Sequence, residues 1–238
     1  SRWLQKQDYL NQSIHTWYRG NEGGPMKKMM NFSSWNPDAL MARYLVNGDK
    51  DFLLDMKDDL VQEYNRWETT HRLPNGLYWQ GDVQDGMEES ISGGRKKQYA
   101  RPTINSYMYG NAKALTMLGL LSGDEAMAMT YGQKADTLKA LVQGKLWNEK
   151  HGFFETLRGD TLATVREAIG FLPWYFNLPD ADKKYEEAWK QIADEKGFSA
   201  PYGLTTAERR HPEFRTHGVG KCEWDGAVWP FATSQTLT

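Results

Sequence analysis

The protein has 238 residues, 39% of them hydrophobic and 25% charged, with a formal net charge of −2 at pH 7. That is enough chain for one large domain or two small ones, in the ordinary composition of a globular protein. The charge balance offers no basic surface for phosphate backbones, so nucleic acid is not an expected partner, and no apolar run approaches the length of a bilayer crossing.

The first residues, Ser1 to Leu10, read as a polar helix carrying Trp3, Leu4, Tyr9 and Leu10, with no secretory signal. The start therefore looks internal to a longer protein. Helical periodicity continues over 36–47 (Ala39, Leu40, Tyr44, Leu45, Val46) and over 50–67 (Phe52, Leu53, Met56, Leu60, Val61, Tyr64, Trp67). The stretches 105–121, 125–146, 163–176 and 181–193 repeat that character, giving about eight helical segments and no long strand-like alternation.

The segments recur as a unit. Asn47-Gly48-Asp49 separates one pair of helices and Ser122-Gly123-Asp124 another, with Gly ending the first helix and Asp capping the second. Each second helix leads to a Gly followed by large residues, Gly76-Leu77-Tyr78 and Gly152-Phe153-Phe154. A shorter third copy turns at Leu178-Pro179-Asp180 and reaches Gly197-Phe198. Stacked helical hairpins of this kind form either an open solenoid or a closed ring. Turns within pairs are short, whereas connections between pairs are long and rich in Gly, aromatic and acidic residues, which is where sites are built.

Aromatic content is high, with ten Trp, twelve Tyr and nine Phe. Many rings fill a core, but Trp35, Tyr78, Trp79, Tyr202, Trp224 and Trp229 stand in loop-like segments, where flat rings suit the apolar faces of sugars. The lone Cys222 excludes an internal disulfide framework. It lacks a nucleophile signature and reads as a small buried residue.

The acidic loop from Pro74 to Gly94 holds Asp82, Asp85, Glu88 and Glu89 among glycines, with Trp79 just ahead. Glycoside hydrolysis needs one carboxylic acid to protonate the leaving oxygen and a second carboxylate to act on water or the sugar. A partly buried acid in an aromatic loop suits the first role. A solvated loop or a calcium loop are the alternatives, although the spacing is not that of an EF-hand. No zinc motif is present, and no metal or cofactor is expected.

Asp85-Gly86-Met87-Glu88-Glu89-Ser90 resembles the Ser-Gly-Met-Asp-Asn-Ser segment of mannosylglycerate hydrolases in glycoside hydrolase family 63, and a similar segment of trehalases. Further segments keep the family's order: Arg101 to Asn105 opening a helix, Leu146-Trp147-Asn148 with Gly152-Phe153-Phe154, Pro201 to Leu204, and Glu223 to Pro230 beside a Tyr-Arg-Gly-Pro-Val-Trp segment. The early Trp35 to Asp38 also matches a pocket-lining loop. The resemblance implies an all-α (α/α)6 toroid, present only in part over 1–238 with no internal domain boundary. It implies an inverting glycosidase acting on a terminal bond of a small oligosaccharide or glycoside. Glu88 takes the place of the family's acidic general acid, with Asp85 as second choice. Trp35, Asp38, Trp79, Asp82, Arg101, Tyr202, Trp224, Asp225 and Trp229 are the implied sugar contacts, with Asp225 standing where the family has Arg.

The family's toroid has twelve helices, and its general base, a Glu, lies on a segment beyond the equivalent of Thr238. The base is thus expected outside this chain. The missing segments would come from the remainder of the same domain on another chain, or the open edge would be covered by self-association. A polysaccharide lyase using His71, Tyr99 and Arg101 is one alternative, and a non-catalytic carbohydrate-binding helical module another. A periplasmic or extracellular setting fits glycan degradation, and the sequence leaves the compartment open.

Overall fold

The computed structural model describes residues 2–19, 33–217 and 222–237. Among them the chain is mostly helical. The first helix, α1 (Arg2–Arg19), lies along the hairpin that follows it. Its Arg19 pairs with Asp55 and Asp59, and the Tyr18 hydroxyl donates to the buried Glu63.

The first hairpin joins α2 (Asn36–Asn47) to α3 (Lys50–Asp55) and α4 (Lys57–His71). Gly48, at φ +72°, ends α2 with its amide on the Tyr44 carbonyl, and the Asp49 side chain accepts from the Phe52 amide to start α3. Those are the roles the Gly-Asp pair implies. The periodicity over 50–67 predicts one helix, but the structure pauses at the wholly buried Met56, whose amide turns to the Leu54 and Phe52 carbonyls before α4 resumes.

The second hairpin repeats the design with α5 (Pro102–Ser122), Gly123 at φ +74°, and α6 (Glu125–Lys145), whose N-cap Asp124 accepts from the Met127 amide. Pro102 opens α5, where its missing amide hydrogen costs nothing. Every residue of α5 from 102 to 112 is buried, so the first half of this helix is enclosed on all sides, and exposed positions begin only at Lys113, Met117 and Leu120. It touches α2, α4, α6 and α7 (Leu172–Tyr175). The backbones of α5 and α6 approach so closely that a Cβ on Gly119 would fall 2.7 Å from the Ala128 nitrogen.

The third copy keeps its two expected helical stretches but shortens the first and winds both unevenly. Of 163–176 and 181–193, residues 168–175 and 183–193 are continuously helical: a 3-10 turn at 168–171 runs into α7, and α8 (Lys183–Glu186) passes through a 3-10 turn at 187–189 into α9 (Lys190–Ala193). The chain must first cross the domain in extended form. Antiparallel ribbons β1–β2 (Trp147–Asn148 with Phe153–Phe154) and β3–β4 (Leu157–Arg158 with Thr161–Leu162) occupy the approach, and Thr164 and Asn177 take positive φ. These stretches are held by rings: Phe153, Phe171, Phe198, Trp174 and Trp189 pack edge to face or tilted, with centroids 4.8–6.4 Å apart. A third ribbon, β5–β6 (Ser199–Ala200 with Gly203–Leu204), precedes the last helix, α10 (Pro230–Leu237).

The arrangement fixes where a site can form. The inner series α2, α5, α7 and α10 packs in sequence, and α4 and α6 flank it outside. The short Gly-Asp turns follow the C-terminal ends of the inner helices, while the long connections all arrive at their N-terminal ends, at Trp35, Arg101, Glu167 and Trp229. This is the arc of an (α/α) toroid with its long loops gathered at one rim.

Candidate active site

The acidic loop is pinned to the rim by every neighbour. Gln84 accepts the Ser33 amide through its carbonyl at 3.0 Å, Glu89 accepts the Trp224 amide at 2.7 Å, and Arg158 Nε donates to the Ser92 carbonyl at 3.0 Å. Within the loop, Asp82 is buried and acts on the backbone: its oxygens accept from the amides of Val83, Ser90 and Gly94 at 3.0, 3.2 and 2.7 Å. Burial pushes its carboxyl up, and the charge of Arg101 and the Gly94 and Ser90 amides pull it back. Asp82 has no face left for a sugar hydroxyl.

A 3-10 turn then carries Asp85 inward and ends at Gly86, φ +82°. Gly86 is required twice over, since a Cβ there would also stand 2.9 Å from the Trp229 ring. Asp85 accepts from the Met87 amide at 3.2 Å, the Thr103 hydroxyl at 3.0 Å and Arg101 Nε at 2.8 Å. Arg101, the N-cap residue of α5, is fully buried and reaches the Ser90 and Ser92 hydroxyls as well. Glu167 closes this hub, accepting both the amide and the hydroxyl of Ser92. Burial holds the Glu167 carboxyl above its usual range, against the pull of Arg101. The cavity beside Asp85, bounded by Thr103, Tyr107, Ile169, Trp229 and Gln235, is about 10 Å³. That is the room of one water rather than a sugar.

Glu88 stands differently. It is half-buried, and its Oε2 accepts from the Trp224 indole Nε1 at 2.7 Å. The next carboxylate, Glu89, turns to Arg95 at 2.8 Å. From Trp224 a ridge of rings runs along the rim: Trp224 to Trp229 at 5.1 Å, Trp229 to Phe231 at 5.1 Å, Phe231 to Trp35 at 5.9 Å, and Trp35 to Tyr107 at 4.8 Å. Asp38 sits in the first turn of α2, three residues from Trp35, and burial pushes its carboxyl up. Asp225 is buried and bound by Arg215 Nε and Nη2 at 3.0 and 2.7 Å, so the acid that replaces the family's Arg comes with its own guanidinium.

The structure thus gathers Trp35, Asp38, Asp85, Glu88, Trp224, Asp225 and Trp229 at one rim and places other expected residues elsewhere. Tyr202 is 93% exposed at the tip of the β5–β6 ribbon, because a two-residue connection turns its side chain outward. Trp79 stacks on His71, which stacks on Trp67, at 4.3 and 4.1 Å. Trp79 thus belongs to a ring cluster at the end of α4 and makes no ring contact with the Trp224–Trp229–Phe231–Trp35 ridge. Arg101 is a strut rather than a sugar contact. Cys222, expected to be buried, is exposed beside Glu88, and partial desolvation and that carboxylate raise its thiol.

Phe231, Thr206, Arg215 and Glu167 belong to the rim and were not singled out from sequence. Phe231 directly follows the Val-Trp-Pro segment, which was the available signal. His71 is buried between two indoles and Arg101 is bound to Asp85, so the residues considered for a lyase share no open face. Among the described residues no group of three or more His, Cys, Asp or Glu is placed to hold a metal, and no helix is long and apolar enough to cross a membrane.

Comparison with known proteins gives a consistent picture. The model of the mannosylglycerate hydrolase MGH1-like glycoside hydrolase domain matches residues 1–238. A solved structure titled sialidase is 77% identical with a TM-score of 0.92, and the match covers 96% of this chain and 21% of that one. The family 63 mannosylglycerate hydrolase from Thermus thermophilus, solved in complex with glucose, superposes with a TM-score of 0.72 at 16% identity, over 91% of this chain and 64% of that one. An uncharacterized protein of Borreliella burgdorferi is 24% identical over 174 residues, 72% of this chain and 35% of that protein. The chain therefore spans less than two thirds of these relatives' lengths.

Proposed function

The chain belongs to the mannosylglycerate hydrolase MGH1-like glycoside hydrolase family, and on that premise we propose that it carries the acid half of an inverting glycosidase site. Glu88 donates the proton to the glycosidic oxygen of a terminal sugar. The ridge Trp224, Trp229, Phe231 and Trp35 stacks against the sugar, with Asp38 for its hydroxyls. The hub Arg101, Asp85, Asp82 and Glu167 holds the loop that presents the acid. A carboxylate from a segment outside these 238 residues activates water on the opposite face, at the roughly 6.5–9.5 Å separation that inversion requires. Residues 1–238 are one part of a single catalytic domain, and no cofactor takes part.

The observation that carries this reading is the contrast between the acids of one loop. Asp82, Asp85 and Glu89 are each taken up by amides or a guanidinium, whereas Glu88 is held at the foot of the aromatic ridge by uncharged partners, the Trp224 indole N–H and the Cys222 thiol. The test is Glu88→Gln in the assembled catalytic domain, with a panel of aryl glycosides and the anomeric form of the first product followed by NMR. General acid catalysis contributes about 10²–10⁴-fold. We expect a loss of kcat in that range with KM little changed and inverted product from the unsubstituted enzyme. Full activity in the Gln variant would remove Glu88 from the chemistry, and retained configuration would place the second carboxylate as a nucleophile.

A further inference from the structure

We infer that Trp224 is a positioning residue for the acid: its indole N–H biases which oxygen of Glu88 carries the transferable proton. The inference rests on Glu88 being the general acid. An indole Nε1–H is a donor only, so Glu88 Oε2, 2.7 Å away, must accept from it in either protonation state. A carboxylic acid accepts more strongly through its carbonyl oxygen than through its hydroxyl, so this contact favours the proton of the acid form on Oε1, with the Cys222 thiol hydrogen-bonded beside the same Glu88–Trp224 pair. A carboxyl group free to rotate would present its proton from either oxygen, and half its orientations would be unproductive. The indole restricts that freedom.

Trp224 is itself held on both sides of its peptide. Its amide donates to the Glu89 carbonyl at 2.7 Å, and its carbonyl accepts the Thr206 hydroxyl at 2.7 Å. The backbone clamp ties Trp224 to the residue next to the acid, so side chain and main chain of positions 88 and 89 are matched to one partner. The ring lies against Trp229, 5.1 Å away at 33°, which sets the plane of the indole and the direction of its N–H. Trp229 rests in turn over Gly86, in the same loop as Glu88. The acid loop therefore meets the 224–229 segment at three points, namely Gly86, the Glu88 carboxylate and the Glu89 carbonyl. Such support distinguishes a preorganised donor from a carboxylate that happens to touch a ring.

The test uses Trp224→Phe, which keeps a stacked ring and deletes only the donor, together with Thr206→Val, which releases the carbonyl anchor. In the 238-residue chain, the Trp224 indole N–H resonance should move with pH in a step that vanishes in Glu88→Gln and persists in Cys222→Ser, which removes the neighbouring thiol as its source. In the assembled catalytic domain, Trp224→Phe should lower kcat about tenfold to 10²-fold, the scale of a misplaced catalytic group, with KM nearly unchanged. The pH–rate profile should change shape, and Thr206→Val should follow in the same direction by a smaller factor. A thermal melt of each variant separates these effects from unfolding. An indole resonance indifferent to pH overturns the inference. So does a folded Trp224→Phe enzyme with unchanged kcat and pH profile while Glu88→Gln is inactive, an outcome that leaves the acid assignment standing. Full activity in Glu88→Gln removes the acid assignment itself, and the role of Trp224 with it.

Discussion

Asp85 and Glu88 are three residues apart in one loop and have different surroundings. Asp85 is enclosed with a guanidinium, a hydroxyl and an amide on its two oxygens. Glu88 is half-buried, with an indole N–H and a ridge of rings beside it. The left-handed turn at Gly86 separates the two, sending one side chain into the hub and the other toward the rim. Charge alone does not tell a structural carboxylate from a reactive one. The number and kind of donors each receives does, because a buried carboxylate that already accepts three donors, one of them charged, has little left to offer a ligand.

That contrast can be broken on its structural side first. Arg101→Met should cost about 3–5 kcal/mol in denaturant unfolding, because it strands Asp85 and Glu167 without their cation in a closed site. A cost below about 1 kcal/mol would mean that the hub is not what holds the acid loop. By comparison, Glu88→Gln should leave unfolding nearly unchanged, since it keeps the shape and still accepts from Trp224.

The buried acids also set a pH response of intermediate size. Burial raises the carboxyls of Glu63 and Glu167 above the ordinary value of 4.5. Each keeps its proton in the folded state over a window in which the unfolded chain has released it. Their stabilising contribution is complete below that ordinary value and is lost as pH rises through the higher folded one. Unfolding free energy should therefore decline as pH rises above the ordinary carboxyl value of 4.5, and Glu167→Gln should flatten the slope. A stability that climbs steadily over that window would show that both groups ionise readily in the fold. The smallest effect expected is that of Tyr202→Ala, within about ±0.5 kcal/mol of stability and with unchanged turnover. A marked loss of activity would bring the ribbon tip back into the sugar site.

Much of the scaffold was legible in the chain because its punctuation is local. Gly48-Asp49 and Gly123-Asp124 specify a left-handed stop and a capped start with residues that touch only their own neighbours. Pro102 marks the start of α5 for the same reason. In the third copy the apolar spacing marks two helical stretches that do form, while their mixed 3-10 and α winding, the positive φ at Thr164 and Asn177 and the ring cluster around Phe171 are consequences of packing. In the site, the loop and its residue types were visible, and so was the Trp-rich segment that meets it. The partners were not. Nothing local distinguishes Arg101 as a strut, sends Trp79 to His71, or leaves Tyr202 in solvent. Those outcomes depend on which distant segment arrives at each side chain.

The Trp224–Glu88 hydrogen bond joins positions 136 apart, and the Gln235–Tyr107 bond joins positions 128 apart, whereas each helical hairpin closes over a tight turn. Loop closure over such spans is entropically dearer than any step within a hairpin. The order of assembly follows: hairpins first, the rim last, once nearly the whole chain is in place. The reverse order holds on the way out. Mild heat or denaturant should open the rim while the hairpins persist, so the contacts between the acidic loop and the Trp224–Trp229 segment should be lost at lower stress than helicity.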